Sequence, residues 1–446
     1  MKKTPFDNLP PLTKHEAFDI LSRPIDKLDL SSDYYKAVFH LLKYPGSDTE
    51  KVLLNLIQAQ SNEHSVLLAK RKAVEVLARH NSFNSIPSIG NCLKSSDPYL
   101  VENAVWALQE LDCKDARLIN LMIDLLDDPN QNLRVLIQAL GNLGAVHSLP
   151  KIKFFLRKSF NASPGVKGAS IVAIKKMSGK TYKIDELLNH LTLQNQNDRH
   201  CAVNDIIDLC DIKLLPLILK TPVAPSFRMR ALNILWPFDQ DNVNGLYLFS
   251  CIDSLIKSDP NCLDCPNYEK KDHDLKTLVE GLFSPDFRVG YISLKALLHQ
   301  EASDLWPVIS SQVERFQSDY GGLYFLMILF RSISGWNQDA MQEIKLITLS
   351  CLGSQWPNFI KFRPVAILTL VELFPAIANR YVPEWLDEII TPFWACRYAC
   401  LLALQSLPRK EIVSYKDNII AAKQDTHRFV NGKASELEEL ITDFTL

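Results

Sequence analysis

The chain is poor in glycine, with 15 in 446 residues, roughly half the usual frequency. It therefore has few sites for left-handed turns and no glycine-rich cradle for a nucleotide phosphate. The Gly-x-x-x-x-Gly-Lys-Ser/Thr loop, the Gly-x-Ser-x-Gly elbow and a Gly-x-Gly-x-x-Gly run after a strand are all missing. Charge of one sign is missing too, since 49 Lys and Arg against 51 Asp and Glu leave a net −2. That balance gives no electrostatic attraction for nucleic acid, and no such partner is expected. Long hydrophobic runs are absent. The longest, Gly321 to Phe330, lies between Asp319 and Arg331 and stops far short of the ~20 apolar residues that span a bilayer. No membrane association is expected. The opening Met1-Lys-Lys-Thr-Pro-Phe-Asp lacks the apolar segment of a secretory leader, so a cytoplasmic location is expected.

Paired metal-ligand spacing is scarce as well. Cys262-x-x-Cys265 stands alone, whereas zinc takes four ligands, and only Cys251 and His273 lie near enough in sequence to complete a set. A redox pair would need a thioredoxin-like βαβ context. Cys396-x-x-x-Cys400 puts two thiols on one helix face. The ten cysteines, among them Cys92, Cys201 and Cys210, read as buried free thiols, and no metal or cofactor is expected.

What the chain does have is a repeat of about 32 residues. Ala73, Ala104, Leu136, Ser170, Ala202 and Ala231 share one position, at spacings of 31, 32, 34, 32 and 29. Four residues after each stands a large aliphatic: Leu77, Leu108, Leu140, Ile174, Ile206 and Leu235. A small or apolar residue followed by Leu or Ile at i+4 marks one stripe of a helix. A second apolar helix follows, as at Ile86 to Leu93, Leu118 to Leu126 and Leu149 to Leu156. Helix pairs repeated in this way predict an all-α chain, an α-solenoid of HEAT-like helical repeats. Such an array buries each stripe against its neighbours, and so 446 residues need no single large core.

The periodicity divides the chain. Residues 1–60 read as an N-terminal helical cap and 61–258 as regular repeats. Residues 259–274, polar and proline-bearing, read as a loop. Residues 275–446 read as diverged helical repeats, richer in tryptophan (306, 336, 356, 385 and 394), with Phe-Arg opening helices at 227, 287 and 362. The groove of such an array is expected on the helix that carries the stripe. On 98–111 the packed set is Val101, Ala104, Val105, Ala107, Leu108 and Leu111. The remaining side is Tyr99, Glu102, Asn103, Trp106 and Glu110. The same register selects Arg71, Lys72, Glu75 and Arg79 in the preceding unit, and Arg134, Val135, Gln138 and Asn142 in the next. Charges such as Glu75 and Arg79 at i and i+4 fit an ordinary solvated face. A tryptophan on the non-packing side does not.

Val101-Glu-Asn-Ala-Val-Trp-Ala-Leu108, preceded by Asp97-Pro-Tyr99, resembles a motif of the HEAT-repeat phycobilin lyases. Arg71 to Leu77, Leu133 to Leu140 and Phe227 to Ala231 are similar to their counterparts in the branch serving phycoerythrin, while Gln109 and Asp112 stand where that family more often has glycine. Iron binding through several His-Glu pairs, known in other HEAT-repeat enzymes, finds only His15-Glu16 here. The resemblance implies a lyase that transfers phycoerythrobilin, as substrate, to a cysteine of a phycoerythrin subunit, the α subunit first, in cyanobacterial cytosol or plastid stroma. A second HEAT-repeat lyase subunit is a possible further partner. A bilin is a flat dianion with four nitrogens. Arg71, Lys72 and Arg134 are expected on its propionates and Glu102, as catalytic acid, and Trp106 on its rings, with Tyr99, Asn103 and Gln138 completing the surface. A non-enzymatic scaffold for phycobiliprotein assembly, or a lyase-isomerase, satisfies the same sequence.

Overall fold

The computed structural model describes residues 11–442, apart from 62, 238–239, 241, 244–245, 266–273 and 355–361. His273, Trp356 and half of the 259–274 loop, residues 266–273, fall outside the described residues. The chain divides into two compact units, Met1–Asn189 and His190–Leu446.

The first unit is two layers of helices. One layer holds α1 (Lys14–Ser22), α3 (Ser47–Gln58), α5 (Ile86–Cys92), α7 (Ala116–Asp124), α9 (Leu149–Phe154) and α11 (Ile184–Asn189). Between these in sequence come α2 (Asp33–Leu41), α4 (His64–Arg79), α6 (Pro98–Glu110), α8 (Leu133–Asn142) and α10 (Pro164–Ser178). The even-numbered helices pack in series, α2 on α4, α4 on α6, α6 on α8 and α8 on α10. The repeated stripe is what they bury. Ala73, Ala104 and Ser170 are fully enclosed, as are Leu77, Leu108 and Leu140. Small residues let the backbones close up: a Cβ added at Gly141 on α8 would stand 2.8 Å from that of Ala173 on α10. The helix starts are written locally. The Asp97 carboxylate accepts from the Tyr99 amide (3.1 Å) and the Asn132 side chain from the Val135 amide (3.3 Å), and Pro98 and Pro164 sit in first turns. The expected second helix at Leu118 to Leu126 starts two residues earlier, capped by Asp115, and finishes as a 3₁₀ turn, Leu125–Asp127.

The second unit is also helical, with one two-residue antiparallel ladder, Asn242–Val243 with Leu246–Tyr247. Three enclosed cations that join its helices are matched to acids, since an unmatched buried charge costs roughly 3–5 kcal/mol, while buried Arg228 donates to the Tyr291 hydroxyl (2.7 Å). Arg397 forks onto Asp425 (2.5 and 2.9 Å), Lys433 reaches Asp253 (2.9 Å), and Arg199 pairs with Asp286. Phe287 opens the Phe287–Leu297 helix and Phe362 caps the Arg363–Leu373 helix, as the Phe-Arg pattern predicts. Cys396 and Cys400 are core residues, and burial pushes the Cys396 thiol up to about 12. Cys201, Cys251 and Cys265 are half-buried, and exposed Cys262 and Cys210 depart from the expectation of a buried thiol. Cys210 stands at φ +54°, in the left-handed turn that follows the Gln196–Asp208 helix.

Candidate functional site

The register expected for α4, α6 and α8 holds. Val101, Ala104, Val105, Ala107, Leu108 and Leu111 are each no more than 2% exposed, while Tyr99, Glu102, Asn103, Trp106 and Glu110 all reach solvent. Arg71, Lys72, Glu75 and Arg79 on α4 and Arg134, Val135, Gln138 and Asn142 on α8 are likewise half-buried or exposed. One continuous side of three adjacent helices therefore carries the residues singled out by the repeat.

Within that surface the cations are not interchangeable. Arg71 spends two donors on Asp97, the cap of α6: Nε to Oδ2 at 2.8 Å and Nη2 to Oδ1 at 2.9 Å. Its guanidinium carbon also lies 4.7 Å from the Tyr99 ring centre. Arg134 on α8 donates from Nη1 to the Gly165 carbonyl in the first turn of α10, at 2.6 Å. Lys72, with a side chain only 10% exposed, donates to Glu75 (2.7 Å) and lies 5.2 Å from the Phe39 ring centre on α2. These are the three residues expected on a ligand's carboxylates. Each has a partner within the protein, and for Arg71 and Arg134 it is the start of the next stripe helix. Those contacts fix one repeat on the next. The partners sit 26 and 31 residues away, a distance at which helical periodicity carries no information.

Other groups on the same surface are uncommitted. Among the described residues, half-buried Glu102 forms no hydrogen bond or ion pair, and neither the Trp106 indole N–H nor the Gln138 amide has a hydrogen-bond partner. Asn103 turns its amide N–H back to the Tyr99 carbonyl (2.7 Å), which leaves its own oxygen outward. Glu75 is held from both sides, by Lys72 and by Arg79 Nε at 2.8 Å. Its charge adds to burial in pushing the Tyr35 phenol on α2 up, burial being the larger cause. Arg79, 52% exposed, then lies 5.7 Å from the Trp106 ring centre.

Two Arg-over-aromatic contacts therefore bracket Glu102. Arg71 and Arg79 are eight residues apart on α4, and Tyr99 and Trp106 seven apart on α6, so both pairs span about two turns. Sequence reading missed both contacts: it set Arg71 aside for a ligand, and Arg79 follows Glu75 by four and reads as a solvated ion pair. The matched spacing on neighbouring helices was the available signal. Chemically, the surface offers an aromatic platform, a carboxylate without a partner among the described residues, and amide groups for polar edges. No group of three or more His, Cys, Asp or Glu among the described residues is placed to hold a metal ion, and no helix among them is long and apolar enough to cross a membrane.

Comparison with known proteins follows the same lines. A family model for HEAT repeats matches residues 51–141. The bilin biosynthesis protein CpeY of a Synechococcus species is 36% identical over 410 residues, 91% of this chain and 97% of that one. The phycocyanobilin lyase subunit alpha of a Nostoc species is 26% identical over 249 residues, 52% of this chain and 87% of that one. Among solved structures, the complex of CpcE and CpcF of phycocyanin lyase from Nostoc matches at 24% identity and a TM-score of 0.47, over 57% of this chain and 99% of that one. Identity above a third, sustained over nearly the full length of both proteins, settles the relationship: the chain belongs to the CpeY family of bilin biosynthesis proteins.

Proposed function

We propose that the chain is a bilin lyase that attaches phycoerythrobilin to a cysteine of a phycoerythrin subunit, the α subunit first, through a thioether bond. One observation carries this reading within the family: a carboxylate without a partner, Glu102, stands beside the half-exposed indole of Trp106 on a single helix face. The reaction is an addition. The client thiolate's electron pair forms the carbon–sulfur bond at the ethylidene group of the pigment's A ring. The displaced π pair moves into the conjugated ring system and takes up a proton, with no leaving group and no change of oxidation state. The nucleophile belongs to the client, which explains why the chain carries no nucleophile motif. The lyase's tasks are to orient the reactants, an effect worth up to about 7–11 kcal/mol in favourable cases, and to supply a proton. In this reading Glu102 protonates or hydrogen-bonds the pyrrole nitrogens and so makes the ethylidene carbon more electrophilic. Trp106 and Tyr99 offer flat faces to the rings, and Gln138 and Asn103 polar contacts at their edges.

The relative named as a lyase subunit supports a reading in which this chain also works beside a second HEAT-repeat subunit. Co-expression with bilin-synthesis enzymes and with the phycoerythrin α and β subunits, one at a time, tests the assignment. A thioether-linked pigment on one mapped cysteine of one subunit is expected. Subunits that stay colourless, while the chain still associates with them, identify a scaffold. A chromopeptide with an isomerised spectrum identifies a lyase-isomerase.

A further inference from the structure

We infer that Arg79 is the pigment's propionate clasp, an assignment that rests on the bilin-lyase reading. A ligand carboxylate needs a cation that the protein has oriented but not consumed, and the surface offers four cations to compare. Arg71 has Nε and one terminal nitrogen, Nη2, on Asp97, the Lys72 ammonium is nearly enclosed between Glu75 and Phe39, and Arg134 is bound to the Gly165 carbonyl. Arg79 differs from all three. It uses only Nε, donating to Glu75 Oε1, and among the described residues both of its terminal nitrogens are without partners. It is also the most exposed of the four, at 52%.

Two contacts hold it in place. Glu75 is itself gripped by Lys72, so the carboxylate that fixes Arg79 does not swing freely. The guanidinium also lies over Trp106, where an aromatic face limits the side chain's rotation. A guanidinium held through Nε presents its two terminal nitrogens as a fork, the geometry that receives a carboxylate with two parallel hydrogen bonds. Its position matches the pigment's chemistry. Ring stacking on Trp106 would bring a propionate, which hangs from a pyrrole ring on a two-carbon arm, beside the cation that already borders that indole. The acid at Glu102, one turn back along α6, faces the ring nitrogens from the same platform. The arrangement reads a flat conjugated body bearing a flexible carboxylate.

The test compares phycoerythrobilin with its dimethyl ester, in which both propionates are masked, by absorbance titration of the full-length protein. The wild-type protein is expected to bind the free acid more tightly than the ester. Arg79→Gln should lose about tenfold in affinity for the acid and none for the ester, and Arg79→Lys should recover part of the difference. Glu75→Gln, which releases the Nε anchor, should weaken acid binding by a smaller factor and again spare the ester. Equal losses for both pigments in Arg79→Gln, or unchanged affinity for both, would overturn the assignment while leaving the lyase reading in place. Wild-type protein that binds neither pigment overturns the lyase reading and the clasp with it. Arg79 is on the surface and caps nothing, so unchanged far-UV circular dichroism is expected for each variant.

Discussion

At the scale of single residues, the site is a question of which side chains are already spoken for. Arg71 and Arg134 look like ligand-binding arginines from their place in the repeat, yet their donors tie α4 to α6 and α8 to α10. Glu102 looks like any surface acid, yet it has no partner among the described residues. This contrast gives a sharp prediction. Glu102→Gln keeps the shape and the polar edge but removes the transferable proton. Single-turnover transfer of pigment to the client thiol should slow by about 10²-fold, the lower end of general acid catalysis, while pigment affinity stays within a few-fold. Transfer at the wild-type rate would remove the acid from the scheme. The identity of the outward residues was legible in the sequence, because a 3.6-residue period fixes which positions cannot pack. Their engagement was not. A bond from Arg71 to Asp97 depends on how far one helix is displaced along its neighbour, and the periodicity of a single helix says nothing of that displacement.

At the scale of helices, the close approach of α8 and α10 is set by residues without bulk. A Cβ at position 141 would meet the Ala173 Cβ at 2.8 Å and its Cα at 2.9 Å. Gly141→Ala is therefore expected to destabilise the first unit by roughly 1–3 kcal/mol, as overpacking does, read as a lowered urea midpoint. Adding Ala173→Gly should restore only part of the loss, since the backbone carbon remains too near. In the second unit, His427 stacks on Trp394 at 4.4 Å and 8°, against the helix Arg428–Thr442. Burial holds its imidazole down at about 4, below the ordinary value of 6.5, with the charges of Arg397 and Arg428 assisting and Asp425 opposing. The folded state thus keeps His427 neutral while the unfolded chain takes up a proton below pH ~6.5. Stability is lost as pH falls from that value to about 4, and the loss levels off below it. In His427→Gln this component disappears, so its midpoint should fall less steeply than wild type over the same window. Parallel pH curves for the two proteins would show that the ring titrates normally in the fold.

At the scale of the molecule, the stripe of small and aliphatic residues foretold an all-helical repeat protein, and the helices stand where the stripe puts them. The division after Asn189 lay beyond the reach of that pattern, because the stripe runs on through Ala202 and Ala231 without a break. Local packing rules repeat along the chain whether or not the array is interrupted, so periodicity alone cannot register an interruption. The functional reading places the chemistry on the first unit, on helices whose inner sides are saturated with aliphatic contacts and whose outer sides keep an acid, an indole and an oriented guanidinium available. The most direct measurement is a phycoerythrobilin titration of the wild-type protein and of a Glu102→Gln/Trp106→Leu double variant, followed by the shift in pigment absorbance. The account predicts a saturable shift for wild type and about tenfold weaker binding for the double variant, with helical circular dichroism unchanged. A double variant that binds pigment as tightly as wild type would contradict it and put the pigment elsewhere on the chain.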